Sequence, residues 1–242
     1  MTTLFFELCA ESVEAAIAAQ VGGADRIELC SDLAHGGITP DRALTAASAA
    51  AVSLPVFVLI RPRSGSFVFS SAEFNLMLQQ IEEAKRAGAA GVATGVLLPD
   101  GRIDIERTRM LIEHARPMKT TFHRAFDETP DLCEALESVI ATGADSLLTS
   151  GGADEVLRGA ESIGSLVRMA RGRIHIIAGG GLRLATLTQV VRRSGNFSLH
   201  GSLTRKNGHR TPREAQVLLE ADVREAIRLL RTEYEGMAAI AQ

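Results

Sequence analysis

Two Glu-Leu-Cys triplets near the start of the chain carry residue types suited to chemistry. They are Glu7–Cys9 and Glu28–Cys30. Residues two apart in a β-strand point to the same face, so each carboxylate would share a face with its thiol. If the two strands are adjacent and parallel, about 4.8 Å apart, Cys9 and Cys30 can be near neighbours.

A pair of converging thiolates is a soft metal site. Thiolates favour Cu(I) over harder divalent ions, and a structural zinc site would normally use four ligands. Cys9 and Cys30 could equally be small buried hydrophobic residues, and spacing alone leaves both interpretations open. The third cysteine, Cys133, lies beside Leu132 in a helical pattern, where packing is the simpler explanation. Cys9 and Cys30 are therefore the candidate metal ligands.

Two arginines follow the third apolar run, in the segment Arg61-Pro62-Arg63. A residue before proline avoids helical backbone, so an extended segment with both arginines on one side is predicted. Two guanidinium groups facing one opening indicate a small anionic ligand. Alternatively, they could form ion pairs with Glu7 and Glu28, whose carboxylates would otherwise be costly to bury.

The segment Phe122–Asp127, with the sequence FHRAFD, follows the fifth apolar run. Neighbouring strand residues face opposite sides, so His123 faces inward if Phe122 packs outward. There His123 could act as an acid, a base or a ligand, or be a buried histidine bonded to a carboxylate. Arg124 is a further candidate for ligand binding, and Asp127 either binds a ligand or caps a loop.

The ends of the last three apolar runs are rich in glycine and hydroxyl groups. Loops in these positions hold phosphate on backbone N–H groups in many (β/α)8 barrels, although glycines also serve as simple turns. The candidate ligand-binding residues here are Thr149, Ser150, Gly180, Gly181, His200 and Ser202.

Eight short apolar runs are predicted to be the strands that position these residues. They begin at Leu4, Asp25, Pro55, Ala89, Lys119, Ser146, Arg173 and Phe197. Seven of the eight are followed directly by helical periodicity, which is typical of a parallel α/β sheet. An open doubly wound sheet usually has a glycine fingerprint in its first turn, and the segment Cys9–Ser12 has none. A single-domain (β/α)8 TIM barrel over residues 1–242 is predicted, with the candidate residues around its mouth.

Apolar stripes and glycines mark the predicted helices. Ser70 or Ser71 opens the helix after the third strand, and a further stripe predicts a helix over Val156–Val167. A polar loop over residues 201–213 precedes a terminal helix. The predicted C-terminal stops are Gly22, Gly23, Gly88, Gly143, Gly172 and Gly195.

The overall composition excludes several classes of protein. A formal net charge of −3 gives no basic field that would gather nucleic acid or anionic lipid. No apolar run reaches the roughly 18 residues of a membrane span, and no secretory leader is evident. Three cysteines are too few for a disulfide scaffold and indicate reduced thiols in the cytoplasm. Neither a nucleic-acid partner nor a membrane partner is predicted.

The motifs together resemble the CutC copper homeostasis family. The matching segments are FELCAES around Cys9, GGADRIELC, GGITP, VLIRPRSGSF, TFHRAFD, LLTSGG and AGGGL. The resemblance implies a (β/α)8 barrel, commonly a homodimer, in the cytoplasm. It also implies a role in copper tolerance or trafficking, with a proposed Cu(I) site on the cysteines that match Cys9 and Cys30.

Some positions depart from the family pattern. Ser64–Ser66 replaces a glycine-rich segment that often ends in an acidic residue, and His35 stands where a glutamate is frequent. Gly201 follows His200 where a serine or cysteine is often found, and the tail after Ser202 differs from the family.

Two functional hypotheses follow. In the first, the protein binds copper for homeostasis, with no organic cofactor. In the second, it is an enzyme of unknown reaction that acts on a small anionic or phosphorylated metabolite. Arg61 and Arg63 would then clamp the anion, His123 would be the acid or base, and Glu7 or Glu28 would be its catalytic partner. The sequence does not decide between them.

Overall fold

A computed structural model of the chain describes residues 4–203 and 212–240. Within these ranges, parallel strands form one closed barrel in sequence order, in which β8 pairs with β1. The strands are β1 (Phe5–Ala10), β2 (Arg26–Leu29), β3 (Val56–Leu59), β4 (Gly91–Thr94), β5 (Lys119–Phe122), β6 (Ser146–Thr149), β7 (His175–Gly179) and β8 (Ser198–Gly201). The predicted (β/α)8 barrel is confirmed.

One long helix follows each strand, on the outside of the barrel. The helices are α1 (Val13–Gly22), α2 (Arg42–Ala51), α3 (Ser71–Arg86), α4 (Ile105–Ala115), α5 (Leu132–Thr142), α6 (Ala160–Ala170), α7 (Leu184–Ser194) and α8 (Pro212–Ile240). Short 3-10 turns, Leu33–His35 and Arg124–Glu128, lie in the loops after β2 and β5. None of the helices in the described ranges is both long and apolar enough to cross a membrane.

The main apolar core lies between the strands and the helices. Outward-facing strand residues such as Phe6 and Ile27 belong to the same buried cluster as Met77 and Ile81 of α3. The alternate strand residues point into the barrel, and several of them are polar and buried. They include Glu7, Arg26, Thr121, Ser146, Ser198 and His200.

Helix ends follow the predicted signals at most positions. Ser70 caps α3 by accepting a hydrogen bond from the Glu73 N–H, and Glu73 bonds back to the Ser70 N–H. Gly23, Gly143 and Gly195 each end a helix in the left-handed conformation.

The predicted helix over Val156–Val167 is wrong at its start. The helix α6 begins at Ala160, and the preceding residues form turns held against neighbouring loops. The Val156 N–H donates to the carbonyl of Gly180 (2.7 Å), and a Cβ on Gly159 would lie 1.8 Å from the Ser150 carbonyl oxygen. These contacts fix the segment before Ala160 in a turn conformation, although its apolar spacing is typical of a helix.

The terminal helix α8 packs against α1 and α7. Four of its apolar residues are buried: Val223, Ala226, Ile227 and Leu230. Most of the predicted loop over 201–213 lies outside the described residues, and only Gly201–Leu203 and the start of α8 are described.

Candidate functional site

A cavity of about 820 Å³ opens at the carboxyl ends of the strands. This is the end of the barrel where enzymes of this fold keep their functional groups. Glu7, Arg63, Thr149 and Ser150 do not line it. The sequence candidates that do line it are Cys9, Glu28, Cys30, Arg61, His123, Arg124, Asp127, Gly180, Gly181, His200 and Ser202.

The Cys9 and Cys30 sulfur atoms lie 3.5 Å apart beside this cavity. The register differs from a simple alignment of the two triplets, because Cys9 is opposite Glu28 and Cys30 lies two residues further along. Strands in a barrel tilt and shift relative to each other, so side chains at one height do not occupy the same triplet positions. The two sulfur atoms are nevertheless near neighbours, which the sequence indicated as possible.

Both thiols are buried, and Cys9 is only 5% exposed. The hydrogen bond with Cys30 and burial raise the pKa of the Cys9 thiol, and the carboxylates of Glu28 and Glu7 act in the same direction. A metal ion bound here would therefore have to displace protons from the thiols.

A buried charge network lies beneath the thiols. Arg26 donates from Nε to Glu7, and its Nη2 lies 3.3 Å from the Thr121 hydroxyl. His200 Nδ1 lies 2.8 Å from the other Glu7 oxygen. Burial alone would raise the pKa of Glu7, but the charge of Arg26 and the contact with His200 outweigh burial and lower it to about 2. Glu7 is therefore an ionised structural anchor below the cavity.

Sequence reasoning missed Arg26 as a member of the site. The strand period of two that groups Glu28 with Cys30 also includes Arg26, so a signal was present. Its guanidinium lies 4.0 Å from the centre of the Phe57 ring, which shields it from water.

Glu28 is an acidic group of the site with an incomplete set of hydrogen bonds. Its Oε2 atom is buried without a hydrogen-bond partner in the described part of the chain. Burial raises the pKa of Glu28 to about 7, although the charge on His200 opposes this rise. Burial tends to lower the pKa of His200, but Glu28 and Glu7 outweigh burial and raise it.

One oxygen of Glu28, one nitrogen of His200 and the Cys9 sulfur all lie within 4.8 Å of one another. They are the one group of at least three such atoms near enough to hold a metal ion in the described ranges. Gly179 and Gly37 leave room for side chains of the site. A Cβ on Gly179 would lie 2.9 Å from the His200 Cβ, and one on Gly37 would lie 2.8 Å from the Leu59 Cδ2.

Arg61 is held by backbone carbonyl groups, so the alternative interpretation of an ion pair with Glu7 or Glu28 is wrong. Its guanidinium donates to the carbonyls of Gly36, Gly37 and Gly65 at 2.7–3.1 Å. Arg26 takes the role of neutralising Glu7. The Nε atom of Arg61 is buried without a partner in the described residues, and it is the part of this side chain left for a ligand.

Arg63 points away from the cavity. It forms an ion pair with Glu73 (2.6 Å) and donates to the carbonyls of Ser64, Ser66 and Val68. The Arg-Pro-Arg segment therefore does not bring both guanidinium groups to the mouth of the barrel.

His123 faces the cavity, on the opposite side of its strand from Phe122. Its Nδ1 accepts from the Ala125 N–H (3.3 Å), which leaves the proton on Nε2. That Nε2 is buried and has no partner among the described groups. Burial and the charge of Arg61 lower the pKa of His123 to about 3. At neutral pH His123 is a neutral imidazole, so it would offer a ligand an N–H donor.

Asp127 organises the loop after β6. Its carboxylate accepts from the Thr149 hydroxyl (2.5 Å), from Arg124 Nε (3.0 Å) and from the backbone N–H groups of Ser150 and Gly152. Arg124 Nη2 also donates to the Ser150 hydroxyl (3.1 Å). Asp127 has a loop-holding role, with Thr149 and Ser150 as its partners.

The glycine loop after β7 lies against this group. Gly180 and Gly181 both have positive φ angles, 111° and 67°, that favour glycine. A Cβ on Gly180 would lie 2.9 Å from the guanidinium carbon of Arg124. Beyond β8, Ser202 lines the same side of the cavity.

The comparisons with known proteins agree on one family. The sequence profile of the CutC family matches residues 4–205. A human relative, the copper homeostasis protein cutC homolog, is 43% identical over 204 residues, which are 84% of this chain and 75% of that protein. A family protein CutC from Porphyromonas gingivalis is 42% identical over 197 residues, covering 81% of this chain and 79% of that one.

Solved structures agree on the fold. The crystal structure of CutC from Streptococcus agalactiae is 28% identical, with a TM-score of 0.78, and covers 84% of this chain and all of that chain. An aldolase named QR15 is 15% identical, with a TM-score of 0.60 over 81% of this chain and 89% of that one. At that identity the second match shows the barrel fold alone.

Proposed function

The chain belongs to the CutC family, and from that premise we propose that it is a copper-binding homeostasis protein. In this proposal, Cu(I) binds to the thiolates of Cys9 and Cys30. The observation that carries the proposal is the 3.5 Å separation of the two sulfur atoms at the edge of the cavity. Paired sulfur ligands suit a soft monovalent ion better than a hard divalent one.

The environment of the thiol pair supports binding of a soft ion. Leu59 and Ala93 pack with the two cysteines in a small apolar cluster. On that side of the thiol pair, these apolar groups limit the access of water to a bound ion. The family names of the relatives concern copper homeostasis, and we extend that role to this chain. All three cysteines are free thiols, which suits the reducing cytoplasm where we propose that the protein acts.

Titration with Cu(I) under reducing conditions, against a chromophoric Cu(I) chelator, tests this proposal. We expect about one Cu(I) per chain, because one thiol pair is available. The Cys9→Ala, Cys30→Ala double variant should lose that ion. Cys133→Ala is the matched control, since Cys133 is exposed and lies near Met169 instead of the cavity. An unchanged stoichiometry in the double variant would remove the site.

A second candidate function is supported by two other side chains that line the cavity. Arg61 Nε and His123 Nε2 are both buried N–H groups without a partner in the described chain. Unpaired buried donors are costly, and an anionic ligand would satisfy them. The alternative function is therefore an enzyme that acts on a small anionic or phosphorylated metabolite, with His123 as a donor to its oxygen atoms.

A thermal-shift screen of phosphate and carboxylate compounds tests the alternative. A ligand present at 100 times its Kd should stabilise the protein by about 2.7 kcal/mol. His123→Phe should abolish the shift, and Arg63→Ala should keep it, because Arg63 faces away from the cavity. If no such compound stabilises the protein, the enzyme hypothesis loses its support.

The homodimer implied by the family resemblance stays a prediction. Light scattering on the purified protein tests it, and a mass near 25.8 kDa would indicate a monomer.

A further inference from the structure

His200 has the arrangement of a histidine prepared for a metal ion. Its Nδ1 is paired with Glu7 (2.8 Å), and Nε2 makes no hydrogen bond to any residue that the structure describes. In metalloproteins, a ligating histidine commonly bonds through its other nitrogen to a carboxylate, which fixes the ring orientation and tautomer. Arg26 keeps that carboxylate ionised from the far side.

Glu28 provides a second group that lacks a partner. It is 5% exposed, and its Oε2 has no hydrogen-bond partner among the described residues. A buried carboxylate oxygen normally has a partner, so the unpaired oxygen of Glu28 is available to bind one. Cys9 lies opposite Glu28 in the strand register, so its sulfur approaches from the adjacent strand.

We propose that Cys9, Glu28 and His200 form a three-ligand site for a divalent cation of the Zn²⁺ type. One sulfur, one oxygen and one nitrogen are a mixed set of borderline hardness, which suits Zn²⁺ better than Cu(I). This site differs from the Cu(I) pair because it does not use Cys30. It therefore does not depend on the proposed copper function, although the two ions compete for Cys9.

The geometry needs only a small contraction. One oxygen of Glu28, one ring nitrogen of His200 and the Cys9 sulfur lie within 4.8 Å of one another. With metal–ligand bonds of about 2.0–2.3 Å, tetrahedral ligands lie about 3.5 Å apart. Rotation of the Glu28 and Cys9 side chains by about 1 Å at the donor atoms would close the difference.

The fourth position of the proposed site opens to the cavity. Three protein ligands and one open position are the pattern of catalytic zinc sites, whereas structural sites use four protein ligands. All three proposed ligands line the cavity that also contains Arg61 and His123. An oxygen atom of an anionic ligand could therefore reach the ion while the rest of it faces Arg61 and His123.

The test is a titration of the full-length protein with Zn²⁺ against a chromophoric chelator, together with Co²⁺ absorption spectra. We expect one Zn²⁺ per chain and a thiolate-to-cobalt charge-transfer band. The near-isosteric variants Glu28→Gln and His200→Gln should each weaken Zn²⁺ binding by at least about 100-fold, since each removes one of three ligands.

Cys30→Ser is the matched control, because it leaves the three proposed ligands in place. It should keep Zn²⁺ affinity within about threefold and lose Cu(I) binding. Glu28→Gln should show the reverse, which separates failure of this proposal from failure of the copper site. Far-ultraviolet circular dichroism of each variant checks that the barrel remains folded.

Two results would overturn the proposal. The first is the absence of stoichiometric Zn²⁺ binding by the wild-type protein. The second is Zn²⁺ binding that survives both Glu28→Gln and His200→Gln or disappears in folded Cys30→Ser.

Discussion

The two sides of the barrel mouth contain similar residue types but use them differently. On the side of β1, β2 and β8, Glu28 has an unpaired buried oxygen, and the Cys9 and Cys30 thiols bond only to each other. On the side of β5 and β6, the Asp127 carboxylate accepts from Arg124 and from the loop after β6. We call the first the donor side, because its sulfur and oxygen atoms can donate electron pairs to a metal ion. We call the second the braced side.

This difference separates residues available to a ligand from residues that hold loops. Buried polar groups in proteins are nearly always hydrogen-bonded, so those without partners stand out. The donor side contains such groups. On the braced side, Asp127 and its partners use their polar atoms to hold each other and the loop backbone, and the Nε2 atom of His123 is the exception. The polar residues at the strand ends, taken from the sequence alone, would be equally good candidates for ligand binding on both sides.

The largest expected effect is on the charge beneath the donor side. Arg26→Met should lower the free energy of unfolding by about 3–5 kcal/mol, because it leaves the buried Glu7 carboxylate without its counter-charge. Urea unfolding measures the loss. Arg192→Met is the matched control, since Arg192 pairs with Glu233 at the surface, where an ion pair contributes about 0–1 kcal/mol. Equal losses in the two variants would mean that the buried network is not an anchor.

The second prediction compares the two sides directly. Asp127→Ala should lower the free energy of unfolding by about 2–4 kcal/mol, because the buried Thr149 hydroxyl and Ser150 N–H lose their acceptor. Glu28→Gln should cost less than about 1 kcal/mol, since it removes a buried charge that lacks a full set of partners. Chemical unfolding of both variants at pH 7 measures the difference. If Glu28→Gln is the more damaging change, the division into two sides is wrong.

Much of the fold, and the inward direction of His123, could be predicted from local sequence patterns. Alternation predicted that His123 faces inward, and Ser70 and Gly143 marked helix ends through local backbone chemistry. These signals act within a few residues, so the sequence displays them.

The partners of the buried charges could not be predicted in the same way. His200 meets Glu7 only because the barrel closes β8 onto β1, across 193 positions of the chain. An ion pair of Arg61 with Glu7 or Glu28 was one of the two sequence interpretations, but its guanidinium bonds to backbone carbonyls of Gly36 and Gly65. Such pairings depend on barrel closure and on how the loops fold over the barrel mouth. The spacing of residues in the sequence predicts neither.

A third prediction concerns pH and His123. Its pKa of about 3 in the folded protein lies below the ordinary value of 6.5, so the unfolded chain takes up a proton first as pH falls. The stabilisation from keeping His123 neutral is complete above pH 6.5 and decreases as pH falls toward 3. Between pH 7 and pH 5 the wild-type protein should lose about 2 kcal/mol relative to His123→Gln.

The control for this pH dependence is the exposed His35. Its hydrogen bond with Asp32 raises its pKa, so its contribution is complete at low pH and is lost as pH rises. The difference between wild type and His35→Gln should therefore change in the opposite direction. Urea unfolding between pH 5 and pH 7.5 measures both differences. A difference between wild type and His123→Gln that stays constant over this range would contradict a buried neutral imidazole.

The smallest expected effect belongs to Arg63, which lies outside both sides. Arg63→Ala should lower the free energy of unfolding by about 0.5 kcal/mol, because its ion pair with Glu73 is partly exposed. It should leave both Cu(I) affinity and any anion-induced thermal shift unchanged, whereas Arg61→Ala should abolish the anion effect. An Arg63→Ala protein that no longer responds to anions would show that this guanidinium reaches the mouth in solution, and the boundary of the site would have to include it.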